Sequence, residues 1–314
     1  GLTITLNAAK SSIPYQSKTP ISLIAREILQ YAKNIEEAIA IAKKRQVFVS
    51  ESLLIASGSE NKAVIIEMAP ELFSVYEQPN ADEIICSNHF QSNVYANDPR
   101  NNNQIKNSHS QYRWDKMNQV LKENSKLQVE DVVAVLRDVK GLNNKSIGLG
   151  NEKSLNQLYA HHSVVFKPKE KLVWVSSNPN QLAEFTAYDL DEIFNEERLF
   201  ANKSLMIDSL AVSKDEFIDS KEYLNFQKFK TIDLSFDEKL RNEEWISDQD
   251  IENYIHLNPD FWGVYFKAGK YYYQKDAFEK ARQYFQQALS KEVSTRNDEE
   301  TLNQYLKEIR KKIK

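Results

Sequence analysis

Residues 1–11, GLTITLNAAKS, and residues 84–92, IICSNHFQS, are the stretches on which the reading of this chain turns. From Leu2 to Asn7, apolar and threonine side chains alternate, the period-2 mark of a half-buried strand. The segment DEIICSN, ending at Asn88, reads as a second strand of the same kind. Each pattern closes on an asparagine, Asn7 and Asn88, where a chain normally leaves its sheet. An asparagine placed there offers a neutral N–H donor that can stabilise a developing oxyanion. Its plainer role is that of a turn or cap residue.

Around these two strands the first half of the chain alternates strands and helices. In TPISLIAREILQYAKN, Thr19 is expected to cap a helix, with Pro20 at its first position, where a missing N–H is harmless. Ile21, Ile24, Ile28 and Tyr31 follow at helical spacing. A second helix is expected from Asn34, with Ile35, Ala38, Ile39 and Ala42 on one face. Strands then read over SLLIASG, KAVIIEMAP and LFSVYEQ, separated by the turn formers Gly58, Asn61, Pro70 and Pro79. Residues 93–109, rich in asparagine, read as a long surface loop. Helices are expected over SQYRWDKMNQVLKEN and VEDVVAVLRDV, and strands over QLYAHHSVVFKP, KLVWVSSN and FTAYDL. The whole is an α+β pattern of layered sheet and helix over residues 1–190.

Beyond Leu190 the strand signal stops, and residues 191–257 read as a connector of charged helices. Residues 258–314 carry a helix–turn–helix rhythm in which Tyr265, Ala268, Gly269, Tyr272, Phe278, Ala281, Phe285 and Ala288 fall where a tetratricopeptide unit packs large against small side chains. A final helix over residues 298–313 could cap it.

Composition narrows the function classes. A chain of 314 residues suggests about two domains, and 41% hydrophobic with 27% charged residues is ordinary for a soluble globular protein. No run approaches the roughly 18 apolar residues that span a bilayer. A net charge of −4 without basic clusters argues against nucleic acid as a partner. The single cysteine, Cys86, excludes an internal disulfide and a cysteine-based zinc site, and reads as a small buried hydrophobe. His161 and His162 alternate across an expected strand without a carboxylate or thiol at ligand spacing, so no metal site is expected there. Glu67 and Arg26 read as a structural ion pair. The compartment is left open.

The first half resembles the penicillin acyltransferases, the acyl-coenzyme A:6-aminopenicillanic-acid acyltransferase family of autoproteolytic N-terminal-nucleophile (Ntn) hydrolases, which are distantly related to the choloylglycine hydrolases. The stretches that carry the resemblance are GLTITLNAA, PISLIAREIL with Arg26, IIEMAP with Glu67 and Pro70, SNHF around Asn88, SQYRWDKMNQVL with Arg113, HHSVVF and LVWVS. Their order and spacing, over residues 1 to about 190, make the match specific where each alone is weak. The resemblance implies an αββα sandwich and a cysteine nucleophile whose own α-amino group is the base, a form of nucleophile-plus-base catalysis that needs no metal or organic cofactor. It also implies that Asn88 is the oxyanion-hole asparagine, that Asn7 has a similar job, and that Arg113 lies in the pocket region. The substrate class it implies is a small-molecule amide or acyl donor.

In one respect the sequence departs from that pattern. An Ntn nucleophile is the first residue of its chain and is Cys, Ser or Thr, whereas this sequence begins with Gly1. The sandwich is therefore expected to be partial, with N-terminal strands and nucleophile on a missing segment, and this chain alone is expected to be inactive. Cys86 is no substitute, because its internal backbone supplies no free amine. The alternative function is a non-catalytic Ntn-like scaffold whose helical tail binds a peptide or a second protomer.

Overall fold

The computed structural model describes residues 1–13, 16–78, 82–124, 126–195 and 204–313. Its first sheet is antiparallel, in the order β1 (Leu2–Ala8), β2 (Glu51–Ser57), β3 (Lys62–Met68) and β4 (Phe73–Tyr76). Period-2 alternation sends Leu53, Ile55, Val64 and Ile66 to one face, where they are fully or nearly fully buried. They form one core with Ile24 and Ile28 of helix α1 (Ile21–Tyr31) and Ile35, Ala38 and Ala42 of helix α2 (Ile35–Lys43). Each such Ile or Leu contributes about 1.5–3 kcal/mol by leaving water.

The helix starts follow local chemistry. Asn34 caps α2 by accepting from the Glu37 N–H at 2.8 Å. At α1 the expected Thr19 cap is corrected: Pro20 occupies the cap position without a side-chain cap bond, because the Thr19 backbone instead pairs with the segment at Gln46 and Val47. Tyr31, expected on the buried face of α1, is 65% exposed.

Opposite the helix-covered face, one transverse row of the sheet is polar. Register pairs Asn7 with Ser52, Ser52 with Glu67, and Glu67 with Ser74. Paired residues share a face, so these four side chains line up across the sheet.

The second sheet, also antiparallel, has the order β5 (Val164–Lys167), β6 (Leu172–Ser176) and β7 (Phe185–Asp189). The Trp174 indole donates to the Leu210 carbonyl at 2.7 Å. Helices α3 (Pro99–Asn107), α4 (Ser110–Glu123) and α5 (Val129–Arg137) precede this sheet in the chain, and Asp189 caps the short helix α6 (Leu190–Ile193) that follows it.

Three expectations are corrected here. DEIICSN forms no strand, because its backbone bonds go to side chains rather than to a ladder, and Cys86 and Asn88 therefore sit in an extended segment with a bend at 88–89. The Asn-rich loop contains α3, opened by Asp98, which accepts from the N–H groups of Arg100 and Asn101. His161 and His162 are exposed and precede β5 instead of lying in it. The expected turn at Pro79 lies outside the described residues, as do residues 196–203 of the connector.

The C-terminal helices are α7 (Lys221–Arg241), α8 (Asp248–Leu257), α9 (Trp262–Gln274), α10 (Phe278–Ser290) and α11 (Arg296–Lys312). Their core is aromatic: Phe236 stacks on Tyr254 with ring centroids 4.4 Å apart, and the Trp262 indole donates to Ser294 Oγ at 2.9 Å. A Cβ on Gly269 would lie 2.6 Å from the Phe285 ring, and Ala268, Ala281 and Ala288 are fully buried. Small residues thus permit the close approach of α9 and α10 that the sequence suggested. No described helix is long and apolar enough to cross a membrane.

The chain divides into two compact units that interleave. One comprises residues 1–132, 164–176 and 185–212, the other residues 133–163, 177–184 and 213–314. The boundaries near 190 and 257 mark changes in sequence character, and the units cut across them.

Candidate active site

The segment from Ile85 to Ser92 makes no ladder, so its polar backbone groups must find partners elsewhere, and almost all are side chains. Ser110, at the first turn of α4, is the hub. Its hydroxyl accepts the Asn88 N–H at 2.8 Å and lies 2.8 Å from His89 Nδ1 and 3.1 Å from Ser87 Oγ. Asn101 of α3 bonds both backbone groups of Phe90, accepting at 2.9 Å and donating at 3.0 Å. Glu67 receives the N–H of Gln91 on one oxygen and the N–H of Ser92 on the other, the latter at 3.1 Å. The Gln91 side chain donates back to the Ile85 carbonyl at 2.7 Å and accepts from the Trp114 indole at 2.8 Å.

Held in this way, Asn88 reaches the end of β1. Its side-chain amide donates to the Ala8 carbonyl at 3.0 Å. Its Oδ1 accepts from Arg113, which also reaches Nδ1 of His109. An amide has two N–H groups, so one remains beyond the bond to Ala8. The guanidinium withdraws electron density from Oδ1 and makes that N–H a stronger donor.

Of the three site residues expected from sequence, Asn88 and Arg113 are therefore in direct contact. Asn7 lies on β1, one residue before the carbonyl that receives Asn88, and is half-buried with no side-chain hydrogen bond among the described residues. The expected Glu67–Arg26 ion pair is corrected: Arg26 is exposed on α1, while Glu67 is fully buried and bonded to backbone amides. The roles of Ser110, Asn101 and His109 were not read from sequence. They lie about 13 to 22 positions from Asn88; the helix expected from Ser110 placed that residue at an element's start, and the Asp98–Pro99 pair is the signal that could have revealed α3 and with it Asn101.

Burial sets the protonation states. It pushes the Cys86 thiol up to about 12, with the negative charge of Glu67 adding to the effect, so the thiol is no nucleophile at neutral pH. It draws His89 down to about 4 against the opposing pull of Asp115, leaving a neutral ring that hydrogen-bonds Ser110. It also raises Glu67, partly offset by the bonds from Ser92 and Gln91.

Beside Ala8 opens a cleft of about 800 Å³. Its walls come from the segment after β1, the segment before β2, and the start of α3. Phe48, Val49 and Ile13 give it apolar surface, and Lys10 and Arg100 bring exposed cations. Ser11 donates to Asp98, tying the β1 exit to the α3 cap. The Ser12 hydroxyl, which also lines the cleft, is buried without a partner among the described residues.

The family model described as acyl-coenzyme A:6-aminopenicillanic acid acyl-transferase matches residues 1–181, more than half of the 314 residues. No curated protein and no solved structure matches the chain.

Proposed function

Since the chain belongs to the acyl-coenzyme A:6-aminopenicillanic acid acyl-transferase family, we propose that it forms the oxyanion-stabilising and substrate-holding part of an Ntn amidohydrolase or acyltransferase acting on a C–N amide bond. The observation that carries this reading is the Asn88 side chain, oriented by Arg113 on one side and by the Ala8 carbonyl on the other.

A cysteine thiolate adds to the amide carbonyl, and the carbonyl oxygen becomes an oxyanion. Asn88 supplies its remaining N–H to that oxygen, and Asn7 supplies another donor from the end of β1. The tetrahedral adduct collapses to a thioester as the C–N bond breaks, and the leaving amine takes a proton from the cysteine's own α-ammonium. Water or a second amine then attacks the thioester and releases the thiolate. The nucleophile is a cysteine other than Cys86, whose thiol is buried and protonated. The cleft beside Ala8 holds the substrate body against Phe48 and Val49, with the Ser12 hydroxyl as a hydrogen-bonding group. Two antiparallel sheets, one backed by α1 and α2, support an αββα sandwich as the scaffold for this chemistry.

For residues 258–314 we propose a tetratricopeptide-like packing, supported by the buried small residues Gly269, Ala281 and Ala288 between α9 and α10.

The experiment is intact-mass analysis of the protein expressed from its complete reading frame, followed by a cysteine-directed acyl probe. Two chains, the second starting at a cysteine that the probe labels, are expected. A single uncut polypeptide that takes no label would overturn the reading.

A further inference from the structure

Glu67 is a fully buried carboxylate on a central strand, flanked by Ser52 on β2 and Ser74 on β4. Burying such a charge costs several kcal/mol unless hydrogen bonds compensate it. Two do, and both come from the segment that carries Asn88: the amides of Gln91 and Ser92. Glu67 also belongs to the polar row that begins at Asn7, two strands away through Ser52. One strand spacing is about 4.8 Å, so Asn7 and Glu67 lie about 10 Å apart on one rigid face. Asn7 stands on that row and Asn88 hangs from it.

We propose that Glu67 is a positioning residue: by holding the amides of Gln91 and Ser92, its carboxylate fixes Asn88 relative to Asn7, so that both donors address one oxyanion. This rests on the reading of Asn88 as an oxyanion donor. The alternative role, a purely structural anchor, would affect folding and leave the coupling between Glu67 and Asn88 at zero.

The geometry favours the positioning role. The Ser110 and Asn101 bonds hold the segment from the α3–α4 side, Asn88 itself reaches the Ala8 carbonyl at the end of β1, and Glu67 adds two bonds to backbone amides from the middle of the sheet that carries Asn7. A carboxylate can accept both amides, whereas a glutamine side chain turns an N–H toward one of them. The ionisable groups facing Glu67 are Cys86 from the same segment, Tyr76 from β4 and Tyr95 from the turn before α3, and burial or the charge of Glu67 raises all three. None is a cation, so the bonds from Gln91 and Ser92 are what offset the burial of the Glu67 carboxyl.

The test is a double-mutant cycle in the protein expressed from its complete reading frame, with phenylacetyl p-nitroanilide as the amide probe. Glu67→Gln is expected to lower kcat about 10- to 100-fold with KM within about twofold, the size of effect that a displacement of about 1 Å produces. In an Asn88→Ala background the same substitution is expected to cost almost nothing more, because its effect passes through Asn88. Glu67→Asp, which keeps the charge, is expected to recover part of the loss, and it carries the same cycle should Glu67→Gln fail to fold. Wild-type turnover in Glu67→Gln, a loss confined to KM, or losses that multiply in the double variant would overturn the proposal while leaving Asn88 in place. If Asn88→Ala itself keeps full turnover, the reading of Asn88 falls, and the positioning role with it.

Discussion

Arg113 donates to Oδ1 of Asn88, and the opposite end of the same amide donates to the carbonyl of Ala8 at 3.0 Å. Bonds at both ends fix which way the amide faces, because reversing it would set an N–H against the guanidinium. Asn88→Ala removes an aligned donor, and kcat is expected to fall about 100- to 1000-fold. The side chain is only partly buried, so thermal unfolding should change little. Steady-state turnover measured beside the melting curve checks both halves of this expectation.

Arg113 acts as a fork, reaching His109 as well as Asn88. Lysine keeps the charge but cannot reproduce two directed bonds. A hydrogen bond to a charged group is worth about 1.5–3 kcal/mol, so Arg113→Lys should lower kcat roughly tenfold and Arg113→Ala further. Equal turnover in wild type and both variants would remove Arg113 from the site.

His89 gives the protein a pH dependence of known sign. Its folded value, about 4, lies below the ordinary 6.5, so the unfolded chain binds more protons between these values. Stability is therefore lost as pH falls through that window, by about 3 kcal/mol at most. Glu67 acts oppositely: its raised folded value means that its contribution grows as pH falls toward the ordinary 4.5. Denaturant midpoints of wild type and His89→Gln, followed from pH 7 to 4, should converge as the histidine takes up its proton.

The cleft beside Ala8 mixes apolar walls with Lys10 and Arg100. Reversing either charge, Lys10→Glu or Arg100→Glu, should raise KM for amides with a carboxylate several-fold more than for neutral amides, and leave kcat nearly unchanged. Identical shifts for the two substrate types would show that the cleft does not sense charge.

Gly148 has φ +82°, and a Cβ there would stand 2.3 Å from the backbone of Phe261. Gly148→Ala combines left-handed strain with a backbone clash and should destabilise the protein by about 2 kcal/mol or more. Neighbouring Leu149 makes reciprocal bonds with Asn258, its N–H donating at 3.1 Å and its carbonyl accepting at 2.8 Å, so the loss should appear as cooperative unfolding in calorimetry.

Strands β1 to β3 and helices α1, α2, α4, α9 and α10 were legible because alternation and helical spacing record which side of each element is buried. Asn88 and Arg113 were singled out through the family's ordered stretches, and the structure places the two in contact. The segment 82–88 misled because Ile84, Ile85 and Cys86 carry a strand's apolar character while its backbone bonds go to the side chains of Ser110 and Gln91, and no local pattern announces a ladder replaced by side chains. Helix α3 was hidden for the opposite reason: Asn101 is its one buried residue, so no apolar period marks it. The partner of Glu67 could not be found by charge matching, because it is backbone.

The interleaving of the two units has a consequence for synthesis. Sheet β1–β4 is complete once Tyr76 has emerged, and each of its strands pairs with the next strand in the chain. Leu149 and Leu158 emerge soon afterwards, yet the core that buries them includes Tyr254, Phe285 and Ile309. At about 5–20 residues per second, those partners follow roughly five to thirty seconds later. During that interval the nascent chain displays an unburied apolar stretch between two pieces of finished sheet, where a ribosome-associated chaperone would find its work.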